Sequence, residues 1–195
     1  MILKPGNKSP NKPEFLMSEL DKLKLGEVRQ IAWVVKDIEA AMQHWHSVLG
    51  VGPWFYKEKI EVTEFWYKGV KSTPLLLSIA FANSGSLQLE LIQQRNLAPS
   101  MYTDFLSRCG DGMQHIAFWT SHFDQTSEKL LSKGYTQGHS GRVGQRGRFT
   151  YFVHSELPGN VVEISEQSGG KAEFFKEIAT AAIDWDGSNP IRRVG

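Results

Sequence analysis

The chain has 195 residues, 41% of them hydrophobic and 22% charged, the balance of an ordinary globular domain with a sizeable core. Its 22 Lys and Arg against 21 Asp and Glu leave a net charge of +1, so total charge argues against nucleic acid or an anionic membrane as partner, and a small molecule is the expected ligand. The single cysteine, Cys109, excludes an intramolecular disulfide; with no secretory pattern at the start and no run near the ~20 apolar residues that span a bilayer, a cytoplasmic, non-membrane protein is expected.

Residues 1–25 carry Pro5, Pro10 and Pro13 among Lys and Asn, a composition that resists packing, and read as a flexible arm. Within it the spacing of Leu16, Leu20, Leu23 and Leu25 suits a short helix over 15–25 that docks on the body or on a second subunit. An internal repeat follows. Gln30-Ile31-Ala32-Trp33 opens one strand and His115-Ile116-Ala117-Phe118, 85 positions later, opens another. Asp37 is placed to cap a helix whose Ile38, Ala41, Met42, Trp45 and Leu49 share one face, with Gly50 as its stop. In the second copy Asp124 is the candidate cap, Leu130 and Leu131 the apolar contacts and Gly134 the stop. Both copies continue through alternating strands and close on an apolar strand holding a glutamate, Glu90 between Leu89 and Leu91, Glu163 between Val162 and Ile164. The order β-α-β-β-β thus recurs, over 26–95 and 112–167. Residues 96–111 read as a linker with a short helix at Tyr102–Leu106 started by Ser100, and 168–195 as a C-terminal helix from Lys171 to Trp185 followed by a tail that turns at Asp186-Gly187-Ser188-Asn189-Pro190.

The repeat sets Gln30 against His115 and Glu90 against Glu163 at equivalent positions. A carboxylate in mid-strand between apolar neighbours must face water or an arranged partner, because an unpaired buried charge is expensive. Taken singly, each residue has a plainer reading, His115 as a satisfied core histidine and Gln30 as a polar strand edge. Four ligand-capable groups at matched ends of a duplicated unit point instead to a shared metal. Two carboxylates, an amide oxygen and one imidazole, without thiolate, suit one divalent ion with open positions: zinc, nickel, cobalt, manganese or magnesium. An oxygen-rich set of this kind fits catalysis better than a closed structural zinc site.

These motifs, with Val48-Leu49-Gly50-Val51-Gly52-Pro53-Trp54, Gly112-Met113-Gln114-His115 and Gly159-Asn160-Val161-Val162-Glu163, resemble the vicinal oxygen chelate superfamily over roughly Val28 to Gln167. That superfamily includes glyoxalase I, methylmalonyl-CoA epimerase, extradiol dioxygenases and metal-free drug-sequestering proteins of the bleomycin-resistance type. The resemblance implies an α+β fold in which two tandem βαβββ modules form a curved, partly open mixed sheet around a metal held by Gln30, Glu90, His115 and Glu163. A dioxygenase would have histidine where Gln30 stands. The arginines of the glutathione-binding glyoxalases are replaced by Val34 and Asp111.

The resemblance further implies a metal-dependent lyase, isomerase or epimerase that abstracts a proton next to the carbonyl of a small substrate such as a thioester or hemithioacetal, with Glu163 as base and Glu90 as the second carboxylate for the opposite face. A metal-free binder is the alternative. For substrate contacts the sequence offers Trp54, Phe65 and Trp66 in an aromatic run, whose plainer reading is core, and Arg142, Arg146 and Arg148 in a Gly-rich stretch able to clamp a carboxylate or phosphate or to sit as a solvated hairpin tip. Relatives commonly dimerise, and the arm and C-terminal helix offer surfaces for a homodimer.

Overall fold

A computed structural model describes residues 22–144, 147–168 and 170–195. The elements in chain order are β1 (Gln30–Val34), α1 (Ile38–Leu49), β2 (Trp54–Tyr67), β3 (Val70–Lys71), β4 (Leu75–Ser84), β5 (Leu87–Gln94), α2 (Met101–Cys109), β6 (Gly112–Thr120), α3 (Phe123–Ser132), β7 (Tyr135–Val143), β8 (Arg148–His154), β9 (Leu157–Glu166), α4 (Gly170–Ala181) and β10 (Ile191–Arg193). The strands form one mixed sheet in the order β10-β2-β4-β5-β1-β6-β9-β8-β7, with β3 folded back on β2. No helix among the described residues is long and apolar enough to cross a membrane.

The sheet is not partly open as expected. β2 pairs with β7 through Val62↔Val143, Thr63↔Arg142, Trp66↔Ser140 and Tyr67↔His139, which closes eight strands into a barrel. Length is the reason: with 14 residues, β2 gives one edge to β4 over Phe55–Val62 and the other to β7 further along. Register shifts between Lys57 and Ile60 and between Thr63 and Trp66 coincide with left-handed Lys59 and Glu64, and such bulges bend and twist a strand enough to wrap it around a barrel.

Because strand side chains alternate faces, each strand feeds two cores. Ala32, Val34, Phe55, Ile79, Phe81, Phe149 and Tyr151 point inward and meet Tyr102 of α2 and Phe175 and Ile178 of α4. Ala80, Ala82, Leu89 and Leu91 point outward beneath α1, while Phe152, Val162 and Ile164 do so beneath α3. α1 forms as its sequence predicts. The Asp37 carboxylate accepts a hydrogen bond from the Ala40 N–H, and Gly50 ends the helix at φ 67°, a conformation that glycine adopts without a Cβ penalty. Ile38 and Met42 are fully buried, each contributing about 1.5–3 kcal/mol; Leu49, expected on the same face, is exposed.

Several expectations change where tertiary contacts override local signals. Asp124 does not cap α3, whose N-cap is His122 without a side-chain hydrogen bond; Arg148 of β8 holds the Asp124 carboxylate instead. Leu130 is buried but Leu131 is exposed. α2 starts at Ser100 with a full capping box and runs on to Cys109. α4 ends at Ala181, short of Trp185, whose indole covers Gly52 so closely that an added Cβ there would lie 2.6 Å from the ring. After the turn, β10 adds to β2 in parallel, a strand the sequence did not signal. Most of the helix expected over 15–25 lies outside the described residues; Lys22–Leu25 is not helical, though Leu23 and Leu25 pack under α3.

The barrel seam is tight at Gly141, where a Cβ would lie 2.4 Å from Val62 Cγ1 and 3.2 Å from the Phe149 ring. Gly141→Ala is expected to destabilise the fold by about 1–3 kcal/mol, lowering the thermal midpoint by a few degrees. Gly159→Ala, with nothing within 4 Å of its Cβ, is the control expected to melt with wild type in circular dichroism.

Candidate metal centre

Each of the four expected ligands points into the barrel. Antiparallel pairing of β1 with β6 sets Gln30 opposite Ala117 and Ala32 opposite His115. Parallel pairing then sets Ala32 beside Glu90 and Ala117 beside Glu163. Two rows result, Glu90–Ala32–His115 and Gln30–Ala117–Glu163, with a fully buried alanine between the polar residues of each. Across neighbouring strands Cβ atoms stand about 4.5–5.5 Å apart, so an alanine in mid-row leaves room for the long side chains on either side to converge above it. The repeated sequence polar-Ile-Ala-aromatic at 30–33 and 115–118 is therefore a packing requirement of the site as much as of the strands.

The convergence is tight. His115 Nε2 lies 3.0 Å from Glu163 Oε2 and 3.7 Å from Glu90 Oε2, and a ligand atom from each of Glu90, His115 and Glu163 falls within 4.8 Å of the others. Donors about 2.0–2.2 Å from a metal ion lie about 3–3.6 Å from one another, so these residues fit a divalent ion with little rearrangement. Gln30, 3% exposed, lines the same cavity as both carboxylates. On the far side of the imidazole, Nδ1 stands 2.7 Å from Gln114 Oε1; an amide oxygen only accepts, so Nδ1 carries a proton and Nε2 is the nitrogen turned to Glu163 and Glu90, the outer-sphere hydrogen bond that orients metal-binding histidines.

Electrostatics agree with this geometry. Burial alone would lower the His115 pKa, but hydrogen bonds to Glu163 and Glu90 and their charges raise it to about 9. Burial pushes both carboxyls up; for Glu163 the His115 hydrogen bond and charge prevail and the pKa falls below the ordinary value, whereas for Glu90 burial and repulsion from Glu163 win and it rises. Two buried carboxylates thus face one imidazolium, a charge set that a divalent cation balances better than a proton does.

Residues without a signal in the sequence complete the surroundings. The Tyr151 hydroxyl lies 3.1 Å from His115 Nε2 and 2.8 Å from the Tyr102 hydroxyl, and burial holds both phenols well above their usual pKa, so they serve as neutral hydrogen-bond groups. Lys171 of α4 also lines the cavity; burial lowers its pKa against the opposing pull of Glu163 and Glu90. His139, packed 4.2 Å from the Tyr151 ring, is lowered to about 3 by burial and by His115 and acts as a neutral core ring. The cavity is about 270 Å³ and mainly apolar, with Ile60, Leu77, Ile79, Phe81 and Phe149 among its walls, near the small end of ligand pockets at ~300–1,000 Å³.

The expected substrate contacts lie elsewhere. Trp54 is fully buried against Trp45 under α1, Phe65 is buried against His139, and Trp66 is 43% exposed. Arg142 binds Glu64 and Arg148 bridges Glu166 and Asp124, so these arginines hold elements together across the sheet; none of these five residues lines the cavity. Arg146 lies outside the described residues.

Comparison with known proteins agrees with this fold. Residues 29–152 match the family model of the glyoxalase/bleomycin resistance protein/dioxygenase superfamily. The chain therefore belongs to that superfamily, the vicinal oxygen chelate group. Among solved structures, a hypothetical protein from Bacillus halodurans C-125 superposes with TM-score 0.54 at 15% identity, covering 73% of this chain and 95% of that one. Methylmalonyl-CoA epimerase from Mycobacterium tuberculosis superposes with TM-score 0.52 at 18% identity, covering 75% and 91%. At these identities the likeness is one of fold. A search of curated protein sequences finds no match.

Metal binding should displace the proton that His115 Nε2 carries below pH 9 in the metal-free protein. Because the pKa is raised, the competition is strongest at low pH: apparent zinc affinity should rise about tenfold per pH unit from pH 6.5 to about 9 and then level off. Calorimetric titration of chelator-stripped protein in buffers of differing ionisation enthalpy should register about one proton released per ion at pH 7. A pH-independent affinity would contradict the His115 assignment.

Proposed function

We propose that this chain is a divalent-metal-dependent enzyme that removes, and returns, a proton next to the carbonyl of a small molecule, as a lyase, isomerase or epimerase. The observation that carries the reading is the Glu90–His115–Glu163 group, whose two carboxylates line a small, mainly apolar cavity together with Gln30, the fourth ligand of this reading. An oxygen-rich set with one imidazole suits zinc, nickel, cobalt, manganese or magnesium, and a bound ion supplies Lewis-acid stabilisation of the negative charge that develops on the substrate oxygen.

The protein's own residues supply the rest. Glu163 takes the proton, and Glu90, the second carboxylate of the group, hands one back from the other face. Apolar walls exclude water and strengthen these interactions. The size of the cavity favours a small carbonyl compound, or the acyl end of a thioester or hemithioacetal whose remainder stays outside. The same proposal divides the chain into a module at 26–95, a linker at 96–111, a second module at 112–167 and a closing segment at 168–195, since β1-α1-β2-β4-β5 and β6-α3-β7-β8-β9 repeat one order with β3 as an added hairpin.

Solvent-deuterium exchange into a panel of acyl-CoA and hemithioacetal compounds, followed by NMR, tests the reading. Wild type should exchange the proton next to the carbonyl of at least one compound. Glu163→Gln, which keeps an oxygen ligand but loses the base, should slow that exchange about 10²- to 10⁴-fold while retaining metal. Unchanged exchange in the variant would remove Glu163 as base. Tight binding without exchange, by a protein that takes up no metal, would favour the sequestering alternative.

A further inference from the structure

Within the cavity Lys171 is the residue whose chemistry is left over. It opens α4, beyond the segment matched by the family model, and lines the same cavity as Glu90 and Glu163. Among the described residues its hydrogen-bond partner is Ser165 Oγ at 2.5 Å, and no carboxylate accepts a hydrogen bond from it; Glu163, Glu90 and Glu166 act on it through space alone. An ammonium has three donors, so two beyond the one given to Ser165 are available to an acceptor in the cavity. The ring of Phe175 lies 5.5 Å beneath it. Lys57 enters the same cavity with its ammonium 4.7 Å from the Phe174 ring, which adds positive charge to the end of the cavity that α4 covers.

Charge balance sharpens the point, and it rests on the metal-dependent reading above. A divalent ion cancels Glu90 and Glu163. Lys171 is then an uncompensated positive charge in an apolar chamber, one that a neutral aldehyde or ketone leaves unpaired and a single anionic group neutralises. We propose that Lys171 is the substrate-binding cation of this site and that the substrate is a small carboxylate with an adjacent carbonyl, of the size of a 2-oxo acid, its carboxylate on Lys171 and its carbonyl turned to the metal centre. The cavity of about 270 Å³ limits the enclosed part to such a compound. A carboxylate so held fixes the carbon that loses the proton relative to Glu163, and fixed placement of this kind is a principal source of rate.

A pair of isosteric probes tests this, pyruvate carrying the carboxylate and butane-2,3-dione a methyl ketone in its place. Calorimetric titration of the full zinc-loaded chain should give pyruvate about 10- to 100-fold tighter binding than the dione, the range of a hydrogen bond to a charged group. Lys171→Met should abolish that preference while leaving dione affinity within about twofold and zinc content unchanged; Lys171→Gln should behave alike, and Lys171→Arg should keep most of the preference. Equal binding of the two probes by wild type, or a preference that persists in both Lys171→Met and Lys171→Gln, would overturn the proposal. Failure of the metal reading would appear separately, as absence of zinc from the wild-type protein, which elemental analysis of the same samples reports.

Discussion

Two carboxylates and an imidazole meet inside a closed sheet, where water is too scarce to screen them. Without a counter-charge that arrangement is unfavourable: burial and repulsion from Glu163 raise the Glu90 carboxyl, and the imidazole is driven to hold a proton up to about pH 9. Everything around the group either brings the three side chains together or prepares for a cation among them. The alanines at 32 and 117 clear the rows between ligands, Gln114 turns the imidazole, and the tyrosine pair at 102 and 151 gives Nε2 a neutral neighbour. A buried polar group of this cost persists in a fold when something else gains from it, and the gain available here is binding of a divalent ion.

Closure of the barrel encloses the site from its far side. β2 reaches both β4 and β7, opposite the strands β5, β1, β6 and β9 that carry Glu90, Gln30, His115 and Glu163, while α2 and α4 cover the interior with Tyr102, Phe175 and Ile178. α4 does more than cover. It carries Lys171 to within reach of the electrostatic field of Glu90 and Glu163, so the segment that seals the chamber also sets its charge. Fold and chemistry are coupled here through a helix that follows the segment matched by the family model.

How far the sequence spoke depended on whether the deciding contact was local. α1 was legible because its signals, the Asp37 carboxylate on the Ala40 N–H and left-handed Gly50, act within a turn of the helix ends. The convergence of Glu90, His115 and Glu163 was legible because strand alternation and a repeat of 85 residues fix which side chains share a face. Asp124 misled because Arg148, distant in sequence, outbids a local cap for its carboxylate. Of the two readings open for Trp54 and Phe65, pocket wall and the plainer one of core, the structure has core: the outward face of β2's start lies under α1 and the inward face of its far half lies in the barrel interior. Arg142 and Arg148 were open to a clamp or a hairpin tip, and their guanidinium groups are engaged with Glu64, Glu166 and Asp124. Lys171 carried no signal because its meaning depends on where α4 lands, a long-range outcome that no spacing encodes; the same holds for β10 and for closure through β2 and β7.

A metal held jointly by Glu90, His115 and Glu163 would be lost with any one of them. Elemental analysis of protein purified without chelator, wild type beside His115→Ala, tests this most directly. Close to one divalent ion is expected per wild-type chain, and its loss in His115→Ala with the fold intact by circular dichroism. Wild-type protein that remains metal-free after incubation with zinc, nickel, cobalt, manganese and magnesium, or a variant that retains its full complement, would contradict it.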